Sequence, residues 1–390
     1  MTDLLILTKY LQGGGAEVVL REIYENMPED IDAKLVVIFN TVSPEDIEKY
    51  NPILLNYNVK KRNIISIIIM VFKITLSYTK ILNKYKPRLS LGFGDIECYC
   101  NQIASFLTRT RQIQSYRNNV SSHRDFWIQN TLTSIHHSLN RVLADKIILN
   151  SNDNKKLLSS KYKIPSEKIV VIYNPKNISQ IRLLSNEKIV EPFFQTEEPI
   201  ILTAGRLSFE KGHLHLLRIF ADINKNISCK LVICGEGPLR EKLERLAKEL
   251  HIEEKVLFSG WCNNPYKYMK KSNIFVFPSL SEGLPNALIE AMICGCPIVS
   301  ADCDFGPREI LENGRYGYLS KRLDGVILNA NDPLTDAEKD MRDKLIILLT
   351  SQTLQKELSE KSLIRSEIFD REILLHKYYS EFRHVLSQNK

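Results

Sequence analysis

Short apolar runs alternate with amphipathic stretches along the whole chain. In the first half the runs are LLILT, AKLVVIF, PRLSLGF, RQIQSY, DKIILN and KIVVIYN. In the second half they are PIILTAG, CKLVICG, KVLFSG, IFVFPS, PIVSAD and YGYLS. Between them lie segments with helical spacing, such as AEVVLREIYENM and PLREKLERLAKELHI. Strands separated by helices are joined by crossovers, which predicts mainly parallel sheets. The rhythm restarts near residue 199, after the irregular stretch NPKNISQIRLLSNEKIVEPFFQTEEP. The expectation is an α/β chain of two doubly wound, Rossmann-like domains, at 1–180 and 190–370. Ligands of such sheets bind beyond the carboxyl ends of the strands, and two facing domains leave a cleft.

Composition supports a globular chain too long for one ordinary core: 390 residues, 44% apolar and 25% charged. No solenoid-length repeat is visible. The opening MTDLLILTKY carries Asp3 and only four consecutive apolar residues, which reads as a first strand and not as a signal peptide. The eight cysteines form no C-x-x-C pair and read as reduced small hydrophobes of a cytoplasmic protein.

Charge changes the picture more. Residues 1–190 hold 26 Lys+Arg against 17 Asp+Glu, and the remainder 27 against 29. From residue 49 to residue 94 there are nine basic residues and no acid. A basic half beside a near-neutral half calls for an anionic partner. Residues 63–79, NIISIIIMVFKITLSYT, fall short of the ~20 continuous apolar residues of a spanning helix. Flanked by Lys60, Lys61 and Arg62 and interrupted by Lys73, the segment reads as a basic amphipathic helix suited to an anionic bilayer. The alternative is a buried helix with a solvated basic edge. Nucleic acid is not the expected partner, because the aromatics of this region are scattered and form no reader motif.

Two glycine clusters follow strands, and neither completes a dinucleotide fingerprint. Gly13-x-Gly15 meets Val18, and Gly235-x-Gly237 meets Arg240, where a third glycine is required. Gly14 and Gly15 can still admit a phosphate or sugar at the start of the next helix, or simply form a tight turn. In TAGRLSFEKG, Arg206 and Lys211 bracket a strand-to-helix junction, where a forked and a point cation can neutralise a diphosphate. FPSLSEGLPNALIEAM then puts Glu282 in a loop at a strand end and Glu290 inside the helix that begins near Pro285. This arrangement suits a nucleotide sugar: carboxylates for the sugar and ribose hydroxyls, and cations with a helix amino end for the diphosphate between them.

The segments G-R-L-x(3)-E-K-G, G-x-G-P, F-P-S-x-x-E-G-L-P-N-x-L-I-E-A-M and G-P-R-E-I-L together resemble retaining glycosyltransferases of the GT-B fold, family 4 type. The resemblance runs from about residue 200 to residue 319; the first half matches only through its glycine loop and its rhythm. It implies a donor diphosphate held by Arg206 and Lys211, a transferred sugar at Glu282 and a ribose at Glu290. It further implies a cradle at Gly283, Leu284, Pro285 and Asn286, with Gly14 and Gly15 on the donor from the other domain. SADCDFGPREIL resembles the branch that adds hexoses or N-acetylhexosamines to polyprenyl-diphosphate-linked oligosaccharides of bacterial surface glycans, such as O-antigen, capsule or lipopolysaccharide. The donor so implied is a UDP-sugar, the partner an anionic membrane surface at the inner face of the cell membrane, and residues 371–390 a helix crossing back to the first domain.

One departure concerns the acceptor side. Many relatives place a histidine at a strand end of the first domain, whereas RQIQSYRNNV offers Arg117 and Asn118 and no histidine before His123. Arg117 cannot act as a base. Deprotonation is left to the leaving phosphate or to a group such as Asp95, while Arg117 either binds the acceptor's diphosphate or forms a structural salt bridge. Asp302-x-Asp304 spells a metal-binding pattern, but Arg206 and Lys211 already supply the positive charge, so no metal is expected. His213 and His215, two apart on a helix, face different directions and read as structural. Two other readings are a nucleotide-sugar epimerase of the same fold, which would need an acid–base pair, and a non-catalytic subunit, which would have lost Glu282 or Lys211.

Overall fold

The computed structural model describes residues 2–12, 14–58, 64–117, 127–326 and 329–388. The chain divides into two compact units: Met1–Pro175 with Glu372–Lys390, and Lys176–Arg371. Each unit is built on one parallel sheet.

In the first unit the strands are β1 (Leu4–Thr8), β2 (Ala33–Phe39), β3 (Ile53–Tyr57), β4 (Leu89–Phe93), β5 (Arg111–Tyr116), β6 (Lys146–Leu149) and β7 (Ile169–Val171), in the order β3-β2-β1-β4-β5-β6-β7. The unbroken apolar run of β1 is explained by burial on both faces. Leu4 and Ile6 pack with Val19, Leu20 and Ile23 and with Leu374, Tyr378 and Phe382 of the last helix, Arg371–Ser387. Leu5 and Leu7 point the other way, toward Met70, Ile74, Tyr78 and Leu82 of helix Ile64–Tyr85. That helix runs six residues beyond the expected segment and, by length and composition alone, could cross a membrane. Its buried stripe at i, i+4, i+8 and i+12 instead packs it along the sheet.

In the second unit the strands are β8 (Ile200–Ala204), β9 (Lys230–Cys234), β10 (Val256–Gly260), β11 (Ile274–Phe277), β12 (Ile298–Ala301) and β13 (Tyr318–Ser320), in the order β10-β9-β8-β11-β12-β13. This is the doubly wound order, with its switch point between β8 and β11. The stretch read as irregular before residue 199 contains helix Ile178–Ser185. The Asn177 side chain caps it on the Gln180 N–H, and Ile178 and Ile181 are buried, a short apolar spacing obscured by the breakers on either side. The chain enters and leaves this unit side by side, with Lys176 bridged to Asp370. All eight cysteines are free thiols, and only Cys262 is not buried.

Candidate functional site

At the switch point of the second sheet, neighbouring strands send their connections to opposite faces, and the loops leaving β8 and β11 flank the resulting crevice. β8 leads through Gly205 and Arg206 to the turn Phe209–Lys211, and helix His213–Asn224 follows. β11 leads through Pro278 to Glu282 and on to helix Asn286–Ile293. The two loops approach closely because residue 212 is glycine. Its φ is +69°, and a Cβ there would lie 1.9 Å from the Pro278 carbonyl oxygen.

That approach sets Lys211 Nζ 2.5 Å from Glu282 Oε1 and 5.9 Å from the centre of the Phe277 ring. Glu282 is mostly buried and Lys211 is more open, so the pair lies at the rim of the protein surface. Arg206 stands exposed in the same loop. The field of these cations registers on Glu210: burial favours its neutral form, but the Ser208 hydroxyl, Lys211 and Arg206 together hold the carboxyl below the usual range. His213 is pushed down to about 4 by burial and by Lys211, so at neutral pH it adds no charge. His215 is bound to Glu338, which Arg218 also clamps, a buried structural cluster.

Glu290 is the fifth residue of helix Asn286–Ile293, and its Oε1 lies 2.5 Å from Lys176 Nζ, with both side chains largely buried. Lys176 is fixed by its backbone, which donates to the Phe369 carbonyl and accepts from the Arg371 N–H, each at 2.9 Å. Both glutamates of the motif are therefore gripped by lysines, and the second lysine belongs to no motif. Gly306 (φ +89°) brings the following loop against the first: a Cβ there would lie 2.6 Å from the Gly283 carbonyl oxygen and from Pro285 Cδ. Leu284 and Pro285 are buried, while Gly283 and Asn286 are partly exposed. Asp302 pairs with Arg308 and Asp304 with Arg322, so the two carboxylates are turned to separate arginines. Among the described residues no three His, Cys, Asp or Glu side chains gather as a metal group.

In the first unit Gly14 stands at the amino end of helix Gly15–Glu25, and Gly15 opens it. The Glu17 carboxylate folds back over this turn, 2.5 Å from where a Gly14 Cβ would be. The helix amino end expected to admit a phosphate or sugar thus has a carboxylate of its own chain beside it. At the β1/β4 switch point lies a pair that the sequence did not announce. The Lys9 N–H donates to Glu97 Oε1 at 2.9 Å, and Lys9 Nζ is 3.7 Å from Oε2. Burial raises Glu97 to about 7 against the pull of Lys9, and Lys9 is itself raised, chiefly by Glu97. Asp95 begins helix Asp95–Thr108 two residues earlier. Arg117, just past β5, is buried with its guanidinium 5.2 Å from the Phe93 ring centre and 5.8 Å from that of Tyr378. Nη1 reaches Asn174 at 3.4 Å, and among the described residues Nε and Nη2 have no hydrogen-bond partner. The salt bridge considered for Arg117 is absent among the described residues. Asn118, Gly13, Lys60, Lys61 and Arg62 lie outside the described residues, and Lys73 is exposed on helix Ile64–Tyr85.

Residues 185–362 match the family described as "Glycosyl transferases group 1". An uncharacterized glycosyltransferase of Methanocaldococcus jannaschii is 29% identical over 376 residues, 90% of this chain and 88% of that protein. A Campylobacter jejuni enzyme is 35% identical over 228 residues, 58% of this chain and 57% of its own length. Its name is N-acetylgalactosamine-N,N'-diacetylbacillosaminyl-diphospho-undecaprenol 4-alpha-N-acetylgalactosaminyltransferase. Among solved structures, Anabaena HepE in complex with UDP superposes with a TM-score of 0.76 at 18% identity, covering 98% of this chain and 100% of that one. A glycosyltransferase from Rickettsia africae gives 0.76 at 17% identity, covering 100% and 99%. These likenesses establish the two-domain fold.

Proposed function

On the match of residues 185–362 to the group 1 glycosyl transferases, we propose that the chain moves a hexose or N-acetylhexosamine from a UDP-sugar to a polyprenyl-diphosphate-linked oligosaccharide, with the anomeric configuration retained. The observation that carries this reading is the Lys211–Glu282 pair at the switch point of the second sheet. An arriving diphosphate competes for Lys211 and frees the Glu282 carboxylate for sugar hydroxyls. The pair thus exchanges one interaction for two as the donor binds.

In this mechanism Arg206 and Lys211 take the charge that grows on the leaving diphosphate, and the amino end of helix Asn286–Ile293, from Gly283 through Asn286, adds its dipole. Fixed cations of this kind do what a metal does elsewhere, so the proposed transfer needs none. Glu282 orients the sugar, and Glu290, held by Lys176, receives the ribose hydroxyls. The bond from the sugar's anomeric carbon to the phosphate oxygen breaks while the acceptor oxygen bonds to that carbon on the same face. The acceptor proton passes to the leaving phosphate. In the first unit Asp95, Arg117 and Asn118 serve the acceptor. Arg117 is suited to this because, among the described residues, two nitrogens of its buried guanidinium lack hydrogen-bond partners.

The acceptor class is supported by the diphospho-undecaprenol substrate in the name of the Campylobacter relative. A lipid-linked acceptor places the enzyme at the inner face of the cell membrane, held peripherally by the basic helix around Lys73. The test is transfer from UDP-sugars to a short-chain polyprenyl-diphosphate disaccharide, with the product's anomeric proton coupling read by NMR. A product with the donor's configuration supports the reading, and inversion or transfer only to water overturns it.

A further inference from the structure

Half of the large apolar side chains that stand exposed among the described residues lie on three helices of the first unit: Ile64–Tyr85, Asp95–Thr108 and Trp127–Leu143. The helices are neighbours. Cys100 Sγ on the second reaches the Val71 carbonyl on the first at 3.8 Å, and the Tyr99 hydroxyl donates to Thr133 on the third at 2.8 Å. Each buries one stripe: Met70, Ile74 and Tyr78 on the first, Asn101 and Ser105 on the second, and His136 and Asn140 on the third. Each then turns an opposite stripe to solvent, led by Phe72 (62% exposed), Phe106 (61%) and Val142 (74%). Isolated exposed apolar residues are ordinary; three adjacent stripes are an interaction surface.

Charge identifies the occupant. The three helices carry Lys73, Lys80, Lys84 and Arg141, and their only acids are Asp95 and Glu97 in the first turn of the second helix. A second copy docked face to face would set four cations against four cations, with Asp95 as the one carboxylate of the three helices that is not buried. An anionic bilayer offers the complement to both features, headgroup phosphates for the lysines and acyl chains for the apolar stripes.

We propose that the outer faces of helices Ile64–Tyr85, Asp95–Thr108 and Trp127–Leu143 form one platform that inserts its apolar side chains into an anionic bilayer. This rests on the peripheral membrane reading given above and relocates its main contact from one basic helix to a three-helix surface. A platform of this width fixes the orientation of the unit, which a single amphipathic helix does not. Attachment then has an apolar component that salt does not screen.

The test is co-sedimentation of the full chain with vesicles of phosphatidylethanolamine, with and without phosphatidylglycerol, at low and high salt. The triple variant Phe72→Ser, Phe106→Ser, Val142→Ser alters exposed positions, so it keeps the fold and the UDP-sugar affinity. The platform predicts that the wild-type chain binds anionic vesicles and stays partly bound at high salt, and that the triple variant loses at least about tenfold in binding at both salts. If the triple variant binds normally while Lys73→Ser with Lys80→Ser releases the chain, the platform is wrong and the basic-helix reading stands. Failure of the wild-type chain to bind either vesicle overturns both. A wild-type dimer that the triple variant converts to monomer, without vesicle binding, assigns the surface to a second copy and overturns the platform.

Discussion

The two units repeat one design and differ in how closely the charges at their switch points are paired. Each has a doubly wound parallel sheet, and each sets a lysine–glutamate pair where the strand order reverses. In the second unit the pair is tight, 2.5 Å, and sits at a rim formed by loops that glycine allows to meet. In the first it is loose, 3.7 Å, and Glu97 is so enclosed that burial outweighs its lysine and lifts its pKa to about 7. A switch point supplies position; where burial outweighs the partner charge, as at Glu97, the carboxyl titrates near neutrality. The first unit thus carries a carboxyl that is only partly ionised at pH 7.

Removing the fixed charges should break the comparison most severely. Lys211→Ala or Glu282→Gln is expected to lower turnover by roughly 100- to 1000-fold, the scale of losing a preorganised transition-state contact, while circular dichroism and melting temperature stay near wild type. Near-normal turnover would show that the rim pair is not the reactive one. Next in size is Lys176→Met, which leaves the Glu290 carboxylate mostly buried and unpaired. Urea denaturation should report a loss of about 3 kcal/mol, with Lys176→Arg recovering most of it. Gly212→Ala forces a Cβ onto the Pro278 carbonyl at a positive φ, and should cost more than about 1 kcal/mol and weaken donor binding along with it.

The smallest effect sharpens the other half. Because Glu97 rises from its ordinary 4.5 to about 7, the folded state binds more protons than the unfolded state between those values. Stability should therefore fall as pH rises through that window, by on the order of 1–3 kcal/mol. Glu97→Gln should flatten the decline without harming donor binding; an unchanged slope in the variant would place the titration elsewhere.

The strand rhythm made twelve of the thirteen strands legible, because those runs are largely apolar and bounded by turns; β3 (Ile53–Tyr57), a half-buried edge strand, was not among them. The candidate site was legible only where its residues fall in one local stretch, as Glu282 and Glu290 do, or at a strand end that announces itself, as Arg206 and Lys211 do. Lys176 was not, since it meets Glu290 across 114 positions through the packing of the second unit. Lys9 and Glu97 escaped for the same reason: a parallel crossover joins β1 to β4, and nothing local marks their meeting. Helix Ile178–Ser185 was hidden by its shortness and by the breakers around it. Gly212 reads as a turn glycine in sequence, and only the Pro278 carbonyl beneath it shows why no other residue serves.

If the rim pair of the second unit holds a nucleotide sugar by its cations, titration calorimetry of the purified chain with UDP-sugars in EDTA, beside the Lys211→Ala variant, will show it. Metal-free binding of at least one UDP-sugar is expected, weakened tenfold or more in the variant. Binding that needs a divalent ion, or that is unchanged without Lys211, would rule out that role for the pair.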